Sequence, residues 1–101
     1  MNIRIDCARD LGPLPHFWNS TGLSPGELLL TADMRQQMTY AASIPHGGLA
    51  LVRPHFLLEL VGLDGLATGR PSYNWSRLDT ALDVIIGNGC TLIFELMGNP
   101  S

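Results

Sequence analysis

The segment Gly48–Leu60 constrains the fold of this chain more than any other. It begins with an apolar run, Leu49–Val52, which follows a Gly-Gly pair and ends at Arg53 and His55. A short apolar run bounded by glycines is typical of a strand buried on both faces, as in a parallel sheet. Polar side chains at the carboxyl end of such a strand lie where α/β folds place their active sites. The segment therefore predicts both an architecture and a place for chemistry.

Strand-like and helix-like segments alternate along the chain. Helices are expected over Thr31–Ile44, with Thr31 as the N-cap, and over Ser76–Ile86, where Ser76 and Asp79 have the spacing of a capping box. Strands are expected over Asn2–Ala8, Leu49–His55 and Thr91–Leu96. Because strands that alternate with helices usually pair in parallel, this order predicts an α/β fold.

Two stretches rich in turn-forming residues separate these elements. Thr21–Leu30 and Gly62–Pro71 both contain proline and several glycines, so both are predicted to be loops. Long loops after the strands are the habit of a (β/α)₈ TIM-barrel enzyme, which needs about 250 residues. The chain has 101 residues, so we expect the N-terminal part of such a barrel, with about three of its strands.

Composition argues against several classes of function. The net charge is −3, and the 6 basic residues are all arginine and scattered, so no partner nucleic acid is expected. The absence of lysine excludes a P-loop. No apolar stretch reaches the roughly 18 residues that span a membrane. Residues 1–20 carry charges where a signal peptide would be apolar, so none is expected. Cys7 and Cys90 form no disulfide framework, and Cys90 is expected to be buried.

Three side chains near predicted strand ends are candidates for chemistry: His55, Glu59 and Glu95. A pair of carboxylates, one protonated and one ionised, is the machinery of a glycosidase. The simpler expectation is that the glutamates bond to backbone or to arginine, and that Arg53 pairs with a buried carboxylate or caps strand-end carbonyls. A lone histidine is more often structural. No metal-ligand spacing joins the three histidines, so neither a metal nor a cofactor is predicted.

Four segments, in order, carry a more specific pattern. They are Phe17-Trp18 with Ser20-Thr21-Gly22, then Ile44-Pro45-His46 through Leu57-Leu58-Glu59-Leu60, then Ser72-Tyr73-Asn74 with Leu78-Asp79, and finally Phe94-Glu95-Leu96-Met97-Gly98. In these segments the chain resembles glycoside hydrolase family 39, and in particular its α-L-iduronidase branch. The resemblance covers nearly the whole chain.

The resemblance implies a fold and a reaction. Residues 13–101 would be part of a TIM-barrel catalytic domain, and residues 1–12 a strand and linker belonging to an accessory β-sandwich. The reaction would be retaining hydrolysis of O-glycosidic bonds at terminal sugars by two glutamates. In the family these follow the fourth and seventh barrel strands, the first within an Asn-Glu-Pro motif that this chain lacks. Glu59 and Glu95 therefore lose the dyad role, and the chain alone is expected to be inactive.

Residue by residue, the resemblance places one substrate contact in this chain. His55 matches a family histidine that hydrogen-bonds sugar hydroxyl groups, and Arg53 matches an arginine expected to support this strand end. Pro54 replaces a family threonine and removes a strand donor beside His55, so the sugar is left open between iduronate and xylose, from glycosaminoglycan or xylan. Asn74 matches an asparagine glycosylated in animal enzymes, which matters only for a secreted chain. A full-length animal-type enzyme would be lysosomal or extracellular.

Two further classes of function stay open. A non-catalytic carbohydrate-binding or interaction module would rest on His55, Trp18 and Trp75, because aromatic rings stack on sugars. A small stand-alone α/β domain is the other. Three barrel strands alone would leave sheet edges and an apolar face uncovered, so the isolated chain is also expected to self-associate.

Overall fold

The computed structural model describes residues 1–101 and has a mixed α/β architecture, as predicted. The strands and α-helices follow in the order β1 (Ser20–Leu23), α1 (Ala32–Ala42), β2 (Leu51–Pro54), β3 (Gly62–Asp64), β4 (Ser72–Asn74), α2 (Ser76–Gly87) and β5 (Thr91–Leu92). Short 3-10 helices lie at Gly26–Leu30, Leu57–Leu60 and Leu66–Thr68.

The main sheet contains three parallel strands in the order β1-β2-β5. Ser20 on β1 pairs with Leu51 on β2, which in turn pairs with Thr91 on β5. Helix α1 follows β1 and α2 precedes β5, so each parallel pair is joined through a helix. The parallel pairing confirms the prediction from the alternating order. The sheet stays open, with β1 and β5 as its edges, and no closed barrel is present in the structure.

The core lies where one face of the sheet meets the helices. On β2, Val52 and Pro54 are buried while Arg53 is exposed, as expected for alternating strand residues. Helix α2 buries Leu78, Ala81 and Ile85, which share one face because their spacing matches the helical repeat. Ten buried residues form the core: Leu29, Met38, Val52, Leu57, Leu60, Val61, Leu78, Ala81, Ile85 and Cys90.

The helix N-termini differ in how well the sequence predicted them. Thr31 is the N-cap of α1, as predicted, and its hydroxyl accepts a hydrogen bond from the Met34 amide at 3.3 Å. The predicted capping box on α2 is wrong, because Trp75 is the N-cap and Ser76 is already helical. Asn74, one residue before the N-cap, forms a turn that leads into the helix, since its side-chain oxygen accepts from the Ser76 amide at 3.0 Å.

Two predicted loops need correction. Thr21–Leu30 is not all loop, because its first residues belong to β1, where Gly22 lies opposite Arg53. Gly62–Pro71 is not all loop either, since its first three residues form β3, which pairs antiparallel with β4 in a hairpin. Gly65 permits this turn because its φ is +76°, a conformation that favours glycine.

Two predicted strands are shortened or missing. The strand expected over Thr91–Leu96 is limited to β5, although the Ile93 amide still donates to the Val52 carbonyl at 2.9 Å. The strand expected over Asn2–Ala8 is not formed, and these residues are exposed. A strand needs a neighbour for its backbone hydrogen bonds, and none lies beside this segment. Its place in an accessory β-sandwich stays a prediction.

Neither α-helix is long and apolar enough to cross a membrane. Cys90 is buried, as predicted, whereas Cys7 is exposed, and both thiols are free.

Candidate functional site

The side chains of Arg53, His55 and Glu95 meet at the carboxyl end of β2, beside the segment that follows β5. Oε2 of Glu95 lies 2.7 Å from Nδ1 of His55, and Oε1 lies 3.0 Å from Nε of Arg53. The exposed fractions of the Glu95, His55 and Arg53 side chains are 23%, 28% and 52%. Glu95 is therefore a partly buried carboxylate that holds a cation with one oxygen and an imidazole with the other.

The parallel register explains why these three residues meet. Val52 pairs with Leu92, and the Ile93 amide bonds to Val52 at 2.9 Å, so the two segments continue side by side. Side chains two residues apart on an extended strand point to the same face. Arg53 and His55 thus share the face opposite the buried Val52, and Glu95 reaches both from the neighbouring segment.

The backbone of His55 is held at both of its polar groups. Its amide donates to the Leu23 carbonyl at 2.9 Å, and its carbonyl accepts from the Gly26 amide at 2.7 Å. Gly26 is buried against this segment, and a Cβ there would come within 3.0 Å of the His55 carbonyl oxygen. The following residue, Phe56, takes a left-handed φ of 61° and turns the chain away. The position of the imidazole is therefore restrained both by the backbone hydrogen bonds of His55 and by the contact with Glu95.

Beside this cluster the sheet surface forms a depression of about 290 Å³. It is lined by Ser20, Thr21, Gly22, Arg53 and Ile93. An ideal Cβ on Gly22 would lie 3.9 Å from Nε2 of His55, and no group of the chain hydrogen-bonds that nitrogen. The cluster can therefore offer one free ring nitrogen and one half-exposed guanidinium to a polar ligand, but it contains no hydroxyl or thiol nucleophile next to a base.

The structure brings some of the charged candidates together and leaves Glu59 apart from them. Arg53 pairs with a partly buried carboxylate, and Glu95 bonds to an arginine, as the simpler expectation had it. Glu59 is exposed, makes no side-chain hydrogen bond or ion pair, and lies outside the cluster. The contact between His55 and Glu95 was not predicted. The signal that could have found it is the parallel pairing of the two strands, which brings their carboxyl ends together.

The aromatic candidates have other neighbours. Trp18 lies 5.2 Å from the ring of His16, and Trp75 lies 6.1 Å from the ring of Tyr73. Both tryptophans are exposed, as is Asn74, whose side chain accepts from the backbone at the start of α2. No group of three or more His, Cys, Asp and Glu side chains is placed to hold a metal ion.

Comparison with known proteins gives concordant results. The model of the family described as "Glycosyl hydrolases family 39" matches residues 1–101. Human α-L-iduronidase is 41% identical over 98% of this chain, and mouse α-L-iduronidase is 37% identical over the same share. The chain spans only 16% of the length of the human enzyme and 17% of the mouse enzyme.

A solved structure shows the same likeness in three dimensions. It is that of a bacterial orthologue of human α-L-iduronidase, 46% identical to this chain, with a TM-score of 0.76. The likeness covers 88% of this chain and 14% of that one, and the bacterial orthologue is described as not needing N-glycan modifications to be catalytically competent. Since the family match extends over every residue and the identities lie well above the level of chance likeness, the chain belongs to glycosyl hydrolase family 39.

Proposed function

We propose that this chain is the N-terminal part of an iduronidase-like, retaining glycoside hydrolase that cleaves O-glycosidic bonds of terminal sugars. Its family and its identity with the human and mouse α-L-iduronidases support this assignment. The three parallel strands with their connecting helices form a unit of the kind that a TIM barrel repeats. The remaining barrel strands would then be supplied by sequence outside residues 1–101.

The observation that carries the proposal is the state of His55. Its Nδ1 is engaged by Glu95 at 2.7 Å, while Nε2 has no partner in the chain and lies beside the bare backbone of Gly22. A free imidazole nitrogen held in one orientation suits recognition of a sugar hydroxyl group. In this proposal His55 binds the sugar of the cleaved residue, and Arg53 supports the strand end by fixing Glu95.

The bond-breaking groups belong elsewhere in this proposal. Retaining hydrolysis needs a nucleophilic carboxylate and a second carboxyl group as acid and base, about 5–5.5 Å apart. Glu95 has both oxygens engaged, and Glu59 lies outside the cluster. The chain therefore contributes to sugar binding and to the scaffold, and the isolated 101 residues are inactive.

The sugar we favour is α-L-iduronate, because the curated relatives are iduronidases. β-Xylose is the alternative within the family. Glycosylation of Asn74 would apply only to a secreted protein, and its side chain is exposed at the end of β4. The bacterial orthologue is described as competent without N-glycans, so we propose that activity does not require a glycan at Asn74.

The direct test is hydrolysis of aryl α-L-iduronides and aryl β-xylosides by the full gene product and by the isolated 101-residue chain. We expect the full product to cleave the iduronide in preference to the xyloside, and the isolated chain to cleave neither. Cleavage by the isolated chain would contradict the assignment of chemistry to other segments. A full product that cleaves no glycoside, but whose tryptophan fluorescence changes saturably with iduronate, would instead indicate a carbohydrate-binding module.

A further inference from the structure

Glu95 has no contact with the sugar in the proposed function, yet both oxygens of its carboxylate are engaged. Each of its carboxylate oxygens has its own partner, one on Arg53 and one on His55. The carboxylate cannot rotate without breaking both contacts. A group held in this way is suited to orienting a neighbour.

The proton on the imidazole follows from this contact. Oε1 of Glu95 receives the N–H of Arg53, so the carboxylate is an acceptor there and, when ionised, at Oε2 as well. At 2.7 Å from Oε2, Nδ1 of His55 must then supply the hydrogen. In a neutral imidazole one nitrogen carries the proton and the other accepts, and the partner of one nitrogen sets the state of the other.

The opposite nitrogen, Nε2, makes no hydrogen bond to any side chain or backbone group of residues 1–101. Gly22 on the neighbouring strand lies beside it and carries no side chain, and even an ideal Cβ at Gly22 would lie 3.9 Å from Nε2. Gly22 also lines the depression next to Arg53.

We propose that Glu95 is a positioning residue: its carboxylate holds His55 in the tautomer protonated at Nδ1, so that Nε2 is presented beside Gly22 as an acceptor for a ligand hydroxyl group. This inference rests on the proposed function for the identity of the ligand, but the tautomer does not depend on it. The same arrangement, in which a carboxylate fixes the far nitrogen of a histidine, orients histidines elsewhere in proteins.

The first measurement reads the tautomer directly. In the full gene product labelled with ¹⁵N-histidine, the His55 signal is the one that disappears in His55→Gln. At about pH 8, above the usual titration range of histidine, we expect the proton on Nδ1 in the wild type and in Glu59→Gln, a control outside the cluster. Glu95→Ala should lose this preference. A wild-type His55 protonated at Nε2 would overturn the proposal.

The second measurement separates positioning from a purely structural role. Glu95→Ala should lower kcat/KM about tenfold, mainly through KM, since one well-oriented contact accounts for a factor of this order. In a His55→Ala background the same change should have almost no further effect, because Glu95 acts through His55. An equal loss in both backgrounds would mean that Glu95 only stabilises the sheet.

Two further arms keep the outcomes distinct. If Glu95→Ala fails to fold, Glu95→Gln preserves the shape of the side chain and one acceptor oxygen, and should retain part of the wild-type kcat/KM. If the wild-type product cleaves no glycoside, the proposed function fails, while the tautomer measured in that same protein still tests the assignment of Glu95.

Discussion

The Nε atom of Arg53 lies 3.0 Å from Oε1 of Glu95, and this contact joins β2 to the segment that follows β5. The two residues are distant in sequence and meet only because the strands pair in parallel. A second ion pair, Arg77 with Glu27, joins α2 to a 3-10 helix at 2.6 Å, but both of its side chains are more than half exposed. The two pairs therefore offer a matched comparison of a partly buried and an exposed contact.

Replacing Arg53 should destabilise the protein more than replacing Arg77. Arg53→Ala leaves a partly buried carboxylate with His55 alone, which we expect to cost about 1 kcal/mol, with allowance for the half-exposed arginine. Arg77→Ala removes an exposed pair and should cost less than about 0.5 kcal/mol. Chemical unfolding of the two variants checks this, and equal losses would contradict the structural importance of Arg53.

Helix α2 contains two adjacent isoleucines that test the position of the core. Ile85 is 0% exposed and Ile86 is 57% exposed. Ile85→Ala should lower the free energy of unfolding by about 3 kcal/mol, since it removes buried methyl groups and leaves a cavity. Ile86→Ala should change it by less than about 0.5 kcal/mol. A larger loss of stability in Ile86→Ala than in Ile85→Ala would contradict the burial of the Ile85 face of α2.

Gly26 should be intolerant of a side chain because His55 and its neighbours lie against it. A Cβ at this position would come within 2.9 Å of Leu57 and 3.0 Å of the His55 carbonyl. We expect Gly26→Ala to destabilise by roughly 1–3 kcal/mol through overpacking and to shift the imidazole NMR signals of His55. Gly87→Ala is the control, since a Cβ there meets nothing within 4 Å. Unchanged His55 signals in Gly26→Ala would contradict the close approach.

Gly22 should control access to the free nitrogen of His55. In Gly22→Val, valine is a residue that strands favour, and its Cβ would make only ordinary van der Waals contacts, so we expect the fold to be retained. The side chain would cover Nε2, and kcat/KM for the glycoside should fall at least tenfold, or by about 1.4 kcal/mol of transition-state binding. Gly22→Ala should give a smaller loss, because its methyl group lies 3.9 Å from Nε2. Full activity in the valine variant would contradict the assignment of Nε2 to the sugar-binding site.

The isolated 101-residue chain should self-associate. Both β1 and β5 are open edges, and Phe94, Leu96 and Met97 beyond β5 expose apolar surface. Open edges and uncovered apolar surface favour association between chains. Analytical ultracentrifugation over a range of concentrations should show species larger than a monomer. A single monomeric species with a sharp, reversible thermal transition would contradict this expectation.

Much of the fold is readable from the sequence where one periodicity dominates. The spacing of Leu78, Ala81 and Ile85 predicts the buried face of α2, and Thr31 predicts the start of α1, because both signals are local. The hairpin of β3 and β4 could not be predicted in the same way. Its strands are three residues each, too short to show an alternation, and its turn lies in a glycine-rich stretch that resembles a loop.

The candidate site illustrates the limit for residues that are distant in sequence. His55 and Arg53 were identifiable from their place after an apolar run. The contact of His55 with Glu95 depends on the register of two parallel strands, which the sequence of either strand does not specify. The role of Gly22 could not be predicted either, because it depends on the absence of a side chain beside Nε2 of His55.

In the proposed function, Nε2 of His55 contacts the sugar. A crystal structure of the full gene product with the monosaccharide product bound tests this most directly. We expect a sugar hydroxyl group about 3 Å from Nε2, with Nδ1 still bonded to Glu95. A sugar bound in the active site with no hydroxyl group near Nε2, or with the His55–Glu95 contact broken, would contradict the proposed roles of His55 and Glu95.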